Sequence, residues 1–222
     1  MRVLIIGGTG TIGSEVAKVL SRNHEVLVCS RTTGDLAVDI KSADSIHRLF
    51  EAVGPIEAVV CTAGEAAFKP LADMSRADFA FGLDFKLMGQ VNVVRIGVPY
   101  LRDGGSFTLT SGATGRRPLP AATGYGIVNA GIEGFVRAAA LDLDRGIRIN
   151  AVSPQWVDTT LVKFGMDPTF GVPASLVARG YAESVEGTRT GIVIDAGWQY
   201  DWLTGSFSVT TVDAVEDRAV AV

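Results

Sequence analysis

Seven residues near the start of the chain form a glycine-rich loop that could bind a phosphate group. They follow the apolar segment RVLII and open a helical pattern, and they are Gly7, Gly8, Thr9, Gly10, Thr11, Ile12 and Gly13. Glycines let the backbone approach a pyrophosphate, and a helix N-terminus offers free N–H groups with a partial positive charge. This chemistry predicts a dinucleotide site, and a glycine-rich turn without a ligand is the alternative. A P-loop is excluded, because no Lys-Ser or Lys-Thr pair follows the glycines.

An arginine after the second apolar segment indicates which dinucleotide would bind. EVLVC is followed by Ser30, Arg31 and Thr32, and no Asp or Glu stands among them to bind a free ribose 2′-hydroxyl. A guanidinium flanked by hydroxyls suits a 2′-phosphate, which it binds in a bidentate way. We therefore expect NADP(H) rather than NAD, with an arginine solvated in a loop as the alternative. Asp39 is the expected acceptor for the adenine amino group, and Ile40 is expected in the same pocket.

Composition and charge argue against several other classes of function. The 222 residues include 24 acidic and 20 basic side chains, and the net charge of −4 disfavours a nucleic-acid binder. No stretch reaches the ~20 apolar residues of a membrane span, and RVLII is too short for a signal peptide. Cys29 and Cys61 form no CxxC pair, and His24 and His47 share no ligand spacing with them, so we expect no metal. These features predict a cytoplasmic protein with reduced thiols.

Short apolar runs alternate with longer helical patterns along the chain. The expected strands are RVLII (2–6), EVLVC (25–29), EAVVC (57–61), SFTLT (106–110), IRINAV (147–152) and GIVID (191–195). Helical patterns cover 12–20, 43–52, 76–101, 121–143 and roughly 174–185. This alternation predicts an α/β fold, a single doubly wound Rossmann-type domain. Its mostly parallel sheet should have about seven strands, with helices on both faces and right-handed crossovers.

No linker divides the chain, so residues 1–197 are expected to form one domain. Residues from about 159 to 185 include a connection punctuated by glycine and proline that is long enough to be a lid. Residues 198–222 show no clear periodicity. They are expected to form either a C-terminal tail or an arm that lies across a partner subunit.

With these landmarks the chain resembles the short-chain dehydrogenase/reductase family from Met1 to about Gly197. The similarity rests on the glycine loop, CTAG at 61–64, SFTLTSG at 106–112, Tyr125 at the start of a helix, RINAVSP at 148–154 and GTRTGIVIDAG at 187–197. The resemblance implies an oxidoreductase in which a tyrosine is the acid and base, a serine steadies the substrate oxygen and a lysine grips the cofactor ribose. It assigns the first two roles to Tyr125 and to Ser111, fourteen positions earlier.

Two positions of the family's catalytic set carry exchanged residue types. YGIVN stands where the family has Tyr-x-x-x-Lys, so Asn129 replaces the lysine, while Lys86 occupies the position of the family's asparagine. The resemblance puts both positions beneath the nicotinamide ribose. We hypothesise that Lys86 fills the space of the missing lysine and that Asn129 keeps one ribose hydrogen bond. The alternative is that Lys86 is a solvated helix lysine and the site is degenerate.

The charge near the tyrosine bears on the direction of the reaction. A cation ~4 Å from the phenol contributes about 4 kcal/mol at an effective dielectric of 20, which lowers the phenol pKa by roughly three units from a value near 10. Without that cation Tyr125 would stay protonated at neutral pH and would be a poor base. It can donate a proton in both cases, so we expect reduction.

The resemblance also implies further contacts and an overall activity. Expected cofactor contacts include Thr62, Ala63, Gly64, Pro154, Val157 and Thr159. The expected activity is NADP(H)-dependent reduction of a ketone or an aldehyde, a small molecule with an apolar portion that the lid would contact. A homodimer or homotetramer is expected through helix faces rich in small residues. The alternative is a non-catalytic NADP-binding sensor or partner-binding protein, which the altered catalytic set would suit.

Overall fold

A seven-stranded parallel sheet forms the centre of the molecule. The computed structural model describes residues 1–201 and 206–209. The strands of this sheet are β1 (Arg2–Ile6), β2 (Glu25–Ser30), β3 (Leu36–Ala37), β4 (Ile56–Cys61), β5 (Leu101–Thr110), β6 (Arg148–Pro154) and β7 (Val193–Ala196). Their spatial order is β3-β2-β1-β4-β5-β6-β7, and every pairing is parallel. The predicted Rossmann-type α/β fold is confirmed.

Helices cover both faces of the sheet. They are α1 (Thr11–Leu20), α2 (Ala43–Val53), α3 (Arg76–Gly82), α4 (Gly89–Gly97), α5 (Thr123–Asp142), α6 (Asp158–Lys163) and α7 (Ala174–Glu186). The helices α1 and α7 pack over Val3 and Ile5 of β1, whereas α2, α4 and α5 pack over Leu4 and Ile6. Val3, Leu4, Ile5 and Ile6 thus face the two layers alternately, and all four are apolar because both faces are covered. None of the helices in the described part of the chain combines the length and the apolar composition needed to cross a bilayer.

The long helical pattern predicted over 76–101 is interrupted in the structure. Helix α3 ends at Gly82, a π-helical turn covers Leu83–Met88, and α4 follows it. A 3-10 turn at Val98–Tyr100 then leads into β5. A π turn holds an extra residue, which a 3.6-residue pattern in the sequence does not reveal. The turn carries Lys86, so its geometry bears directly on the candidate site.

The lid segment is shorter than predicted. Residues from 174 onward form α7, in which Val177 and Tyr181 are fully buried against the sheet. The segment that could act as a lid therefore ends at Pro173 and not at about 185. A helix that supplies core side chains cannot move away from the sheet without exposing them.

The segment predicted as a tail or arm begins with two paired strands. They are β8 (Trp198–Asp201) and β9 (Ser206–Val209), which pair antiparallel. The rest of the predicted tail, 202–205 and 210–222, lies outside the described residues. Strand β3 was also missed by the prediction, because two residues are too few to show an alternating pattern.

A buried glutamine holds the carboxyl end of β5. Gln90 of α4 is fully buried; its amide nitrogen donates to the Thr110 carbonyl at 3.0 Å, and its oxygen accepts the Thr110 N–H at 2.8 Å. The Thr110 hydroxyl donates to the Cys61 carbonyl at 2.7 Å. These contacts lie beyond Thr108, the last residue of β5 that pairs with β4. Side chains thus anchor the strand end that leads into the candidate site.

The substitution Gln90→Ala should lower the free energy of unfolding by about 2–4 kcal/mol, because it leaves two buried backbone groups of Thr110 without partners. Urea unfolding at neutral pH measures the change. Asn92→Ala is the matched control on the same helix, since the side chain of Asn92 accepts hydrogen bonds from the exposed side chain of Arg95. A loss for Gln90→Ala no greater than that of the control would contradict the anchoring role.

Candidate active site

A crevice of about 690 Å³ opens at the carboxyl ends of the central strands. It lies where the strand order reverses between β1 and β4, the position at which open α/β sheets bind ligands. The predicted residues that line it are Gly7, Thr9, Gly10, Thr11, Ile12, Gly13, Ser30, Arg31, Thr32, Asp39, Ile40, Thr62, Ala63, Gly64, Lys86, Ser111, Tyr125, Asn129, Pro154 and Val157. The fold thus brings residues from eight separate segments of the predicted set to one cavity.

Two predicted contacts, Gly8 and Thr159, do not line the crevice. A Cβ on Gly8 would lie 2.8 Å from Cγ1 of Val28, so this glycine is required by packing against β2. Thr159 is exposed on α6, and its neighbour Thr160 lines the crevice instead. The turn of α6 decides which threonine faces inward, and the sequence alone did not reveal it.

Besides Gly8, the glycine loop leaves no room for a side chain at Gly7 and Gly13. Gly7 has a φ of +83°, and a Cβ there would lie 2.8 Å from Oγ1 of Thr62. A Cβ on Gly13 would lie 2.2 Å from the Gly7 carbonyl oxygen. Helix α1 then begins at Thr11, with no side-chain cap among the described residues and no acidic residue in its first turn. Its first N–H groups and its positive end are therefore available to an anion.

Arg31 is exposed at the β2 side of the crevice, next to a turn that is tied to the glycine loop. The Ser30 hydroxyl accepts the Thr33 N–H at 3.0 Å, and the Thr33 hydroxyl donates to that of Thr9 at 3.3 Å. Arg31 lines both the crevice and a neighbouring depression, which Asp39 also lines. One oxygen of Asp39 already accepts a backbone N–H at 3.0 Å. The adenine contact predicted for Asp39 stays a prediction.

Lys86 is a buried cation at the β5 side of the crevice. Only 6% of the residue is exposed, and its ammonium donates to the Ser111 carbonyl at 3.0 Å. The ammonium lies 5.5 Å from the ring centroid of Tyr125, within the range of a cation–π contact. Burial lowers the pKa of Lys86 to about 8, while the nearby Cys61 thiol opposes that shift. Lys86 is therefore not a solvated helix lysine.

The Tyr125 phenol holds its proton more tightly than a free tyrosine. Burial raises its pKa, hydrogen bonding from the Ala66 backbone lowers it, and the Glu65 carboxylate raises it. The net shift is upward, opposite to the lowering that the sequence predicted from a nearby cation, because desolvation disfavours the phenolate. Tyr125 therefore carries its proton near neutral pH, so a proton is present for donation, and the phenol is poorly suited to accept one.

Asn129 lies one helical turn after Tyr125 on α5. Its amide nitrogen donates to the Thr114 hydroxyl at 2.8 Å and would lie 2.7 Å from a Cβ on Gly112. The residue is 2% exposed, and its amide oxygen has no hydrogen-bond partner among the residues that the structure describes. An unpaired buried acceptor is costly, so this oxygen suits a ligand that brings a hydroxyl donor into the crevice.

The backbone carbonyl of Ser111 contacts Lys86 in the site, whereas its hydroxyl is engaged by Glu133. The hydroxyl donates to Oε1 of Glu133 at 3.2 Å and lies 3.4 Å from the Val152 carbonyl, while 1% of the residue is exposed. The carbonyl oxygen receives the Lys86 ammonium. The role predicted for this hydroxyl, polarising a substrate oxygen, stays a prediction and requires the side chain to turn away from Glu133.

Sequence reasoning missed Glu133, the carboxylate to which that serine donates. Glu133 is 1% exposed, and its Oε2 lies 3.1 Å from Nε of Arg116. Arg116 in turn bonds both carboxylate oxygens of Asp195 at the end of β7. Tyr125, Asn129 and Glu133 follow one another at intervals of four along α5, which puts them on one helix face. That spacing was the available signal.

Sequence reasoning expected apolar lid residues but missed Trp156, which joins the lid residue Phe164 in an aromatic wall beside Tyr125. Trp156 follows β6, Phe164 follows α6, and both line the crevice. The centroid of the Trp156 ring system lies 6.3 Å from that of Tyr125 and 5.7 Å from that of Phe164. Nothing in the local pattern predicted the direction of these rings, since neither residue lies in a regular alternating segment.

The buried thiols lie outside this chemistry. Within the described ranges, no three His, Cys, Asp or Glu side chains converge to hold a metal ion. Burial raises the pKa of Cys61 to about 12, and burial also raises the pKa of Cys29. Both thiols therefore stay protonated at neutral pH, which makes them unreactive.

A family model described as enoyl-(acyl carrier protein) reductase matches residues 11–170. Among curated relatives, oxidoreductase UcpA of Escherichia coli K12 is 26% identical over 185 residues, 72% of this chain and 70% of its own length. The 3-oxoacyl-[acyl-carrier-protein] reductase MabA of Mycobacterium bovis is 26% identical over 175 residues, 72% of this chain and 71% of its own.

Two solved structures are similar at higher identity. A protein from Listeria innocua is 38% identical with a TM-score of 0.85, and the match covers 88% of this chain and 98% of that one. A small-chain dehydrogenase in complex with NADPH is 32% identical with a TM-score of 0.78, covering 88% and 95% of the two chains.

The substitution Lys86→Met, which removes the buried charge, should stabilise the protein at neutral pH. Folding lowers the Lys86 pKa from 10.5 to about 8. The unfolded chain therefore binds more protons between these values, and wild-type stability rises with pH across that window. The advantage of the variant, at most about 3 kcal/mol near pH 7, should shrink toward zero near pH 10.

Urea unfolding of both proteins near pH 7 and near pH 10 measures this change. Lys41→Met is the matched control, because Lys41 is exposed and its ammonium lies 5.8 Å from the ring centroid of Phe85. The control should differ from wild type by the same amount at both pH values. A Lys86→Met difference that is also independent of pH would show that Lys86 carries no burial cost.

Proposed function

Because the chain belongs to the short-chain dehydrogenase/reductase family of oxidoreductases, we propose that it is an NADP(H)-dependent enzyme that reduces a ketone or an aldehyde to an alcohol. One observation carries the proposal. A buried ammonium, a protonated phenol and an unpaired amide oxygen, those of Lys86, Tyr125 and Asn129, line the same crevice as the glycine loop.

The crevice fits a nicotinamide dinucleotide phosphate along its length. Gly7 and Gly13 allow close approach of a pyrophosphate to the first N–H groups of α1. Arg31 would pair with the 2′-phosphate, and the unpaired oxygen of Asn129 would accept a ribose hydroxyl. The cofactor, when bound, supplies the hydride. The solved relative in complex with NADPH, at 32% identity, supports this choice over NAD.

The chain's own residues would bind the carbonyl, orient it and protonate its oxygen. Tyr125 donates the phenolic proton to that oxygen while the carbonyl carbon accepts the hydride, so the product is a neutral alcohol. The Lys86 ammonium, 5.5 Å from the phenol ring, offsets the negative charge that the phenol acquires as its proton leaves. The raised pKa of Tyr125 favours this direction over oxidation of an alcohol.

We infer that Lys86 and Asn129 have exchanged the roles that the family gives to these two positions. Burial of the Lys86 ammonium, its hydrogen bond to the Ser111 carbonyl and its position over the Tyr125 ring support this inference. In this scheme Ser111 orients the ammonium through its carbonyl. Its hydroxyl would polarise the substrate oxygen only after leaving Glu133.

We further propose that the protein acts in the cytoplasm as a homodimer or homotetramer on a small carbonyl compound with an apolar portion. Exposed Phe81, Met88 and Ile127, on α3, the π-helical turn and α5, support an association of subunits through these helices. Lid residues such as Phe164 would contact the apolar portion. A non-catalytic NADP-binding sensor remains the second candidate, supported by the engaged hydroxyl of Ser111.

The substitution Arg31→Ala should weaken NADPH binding about 10- to 100-fold and leave NADH binding within about twofold, because one charge-assisted contact to the 2′-phosphate is lost. Fluorescence titration of each reduced cofactor measures both affinities. Arg22→Ala is the matched control, since Arg22 is exposed beyond the other end of α1. Equal losses for the two cofactors would contradict recognition of the phosphate by Arg31.

Reciprocal substitution tests the exchanged roles. Lys86→Asn should lower kcat for carbonyl reduction at least about 100-fold, and Tyr125→Phe should do the same, because each removes part of the acid catalysis. The double variant Lys86→Asn with Asn129→Lys should recover at least about tenfold over Lys86→Asn alone.

Wild-type reduction should also decline above about pH 8, where the Lys86 ammonium loses its proton, and this decline should be absent in Lys86→Asn. Full activity and full NADPH affinity in Lys86→Asn would overturn the exchange. NADPH binding by the wild type without turnover of any carbonyl compound would favour the sensor.

A further inference from the structure

Four aromatic rings form a continuous cluster at the substrate end of the crevice. The Trp156 ring system is its centre, with ring centroids 5.4 Å from Phe68, 5.7 Å from Phe164 and 6.3 Å from Tyr125. Phe68 and Phe164 also contact each other, with centroids 4.8 Å apart. Trp156, Phe164 and Tyr125 line the crevice, whereas Phe68 packs behind Trp156 and is not among its lining residues.

Trp156 is held in place by the backbone at the base of the lid. Its carbonyl accepts the Val172 N–H at 2.8 Å, and the Asp158 N–H donates to the Val172 carbonyl at 3.1 Å. Val157 and Val172, paired in a short parallel bridge, are buried. The backbone that carries the indole is therefore held by the joined ends of residues 158–171, and the ring itself contacts Phe68, Phe164 and Tyr125.

The charged groups in this part of the crevice do not favour a charged substituent. The exposed charged side chains beside the aromatic rings include Glu65 and Lys163, whose charges have opposite signs. The Lys86 ammonium is buried and already donates to a carbonyl. The distinguishing property of the aromatic wall is its π surface. Such a surface binds a flat aromatic ring, offset-stacked or edge-on, better than a saturated ring.

We propose that the carbonyl substrate carries an aryl or similarly flat conjugated group directly on its carbonyl carbon, and that Trp156 selects it by ring contact. A carbonyl oxygen in hydrogen-bond reach of the Tyr125 hydroxyl puts that group beside the indole, because the two side chains are adjacent in the wall. Phe164 covers the group from the lid. This inference rests on the proposed reductase function and adds the class of its substrate.

A matched pair of ketones tests the inference. Acetophenone and cyclohexyl methyl ketone have the same carbon skeleton and differ in whether the ring is flat. The ratio of their kcat/KM values with NADPH is measured for the wild type and for variants, so that intrinsic reactivity cancels between proteins. Trp156→Leu should lower the aryl-to-cyclohexyl ratio about tenfold, and Trp156→Phe should retain most of it.

Phe68→Leu is the control, because it removes a ring that touches Trp156 without lining the crevice. It should leave the ratio within about twofold of the wild type. If Trp156→Leu does not fold, as judged by circular dichroism and NADPH binding, Phe164→Leu replaces it and should lower the ratio about threefold or more.

The outcomes distinguish failure of the aryl-group inference from failure of the proposed reductase function. Turnover with a ratio that Trp156→Leu and Phe164→Leu leave unchanged overturns the inference and leaves the reductase function standing. An equal effect of Phe68→Leu also overturns it, since the effect would then come from packing. NADPH binding without turnover of either ketone or of a simple aldehyde overturns the proposed function, and the inference falls with it.

Discussion

An ammonium ion buried beside a phenol is the constraint on which the rest of the site depends. A charge removed from water is costly unless surrounding groups are arranged to receive it. The Ser111 carbonyl accepts an N–H from Lys86, and a π-helical turn carries the side chain. Gly64 has a φ of +128°, and a side chain there would collide with Lys86, because its Cβ would lie 2.9 Å from Cα of Lys86. The irregular backbone in this region thus surrounds one charged group.

Features that repeat along the chain were predictable, whereas features that depend on distant contacts were not. Strand β1 was predicted to the residue, because a strand buried on both faces is a continuous apolar run. The glycine loop was predictable because its function requires particular residue types in order. The hydrogen bond between Ser111 and Glu133 joins residues 22 positions apart and leaves no local pattern. The π turn at Leu83–Met88 could not be predicted for a related reason. One extra residue in a helical turn changes the direction of the following side chains but leaves the composition of the segment helical.

The acid–base side of the crevice is connected to the last strand of the main sheet. Glu133 beneath the site is neutralised by Arg116, and Arg116 bonds Asp195 at the end of β7. A buried carboxylate is costly without a cation, and Arg137 also lies 3.9 Å from Oε2 of Glu133. Ser111 is therefore linked to the edge strand of the sheet through two side chains, those of Glu133 and Arg116.

The bridge between Val157 and Val172 gives the lid a property of its own. Residues 158–171 lie between the two ends of this bridge, which backbone hydrogen bonds join. For a loop closed in this way, added length costs little entropy, and apart from the buried Leu161 most of its side chains are exposed. The segment is thus a natural site for grafting, because it can be exchanged between relatives, with Leu161 and Gly171 kept, while β6, α7 and the bridge between them stay in place.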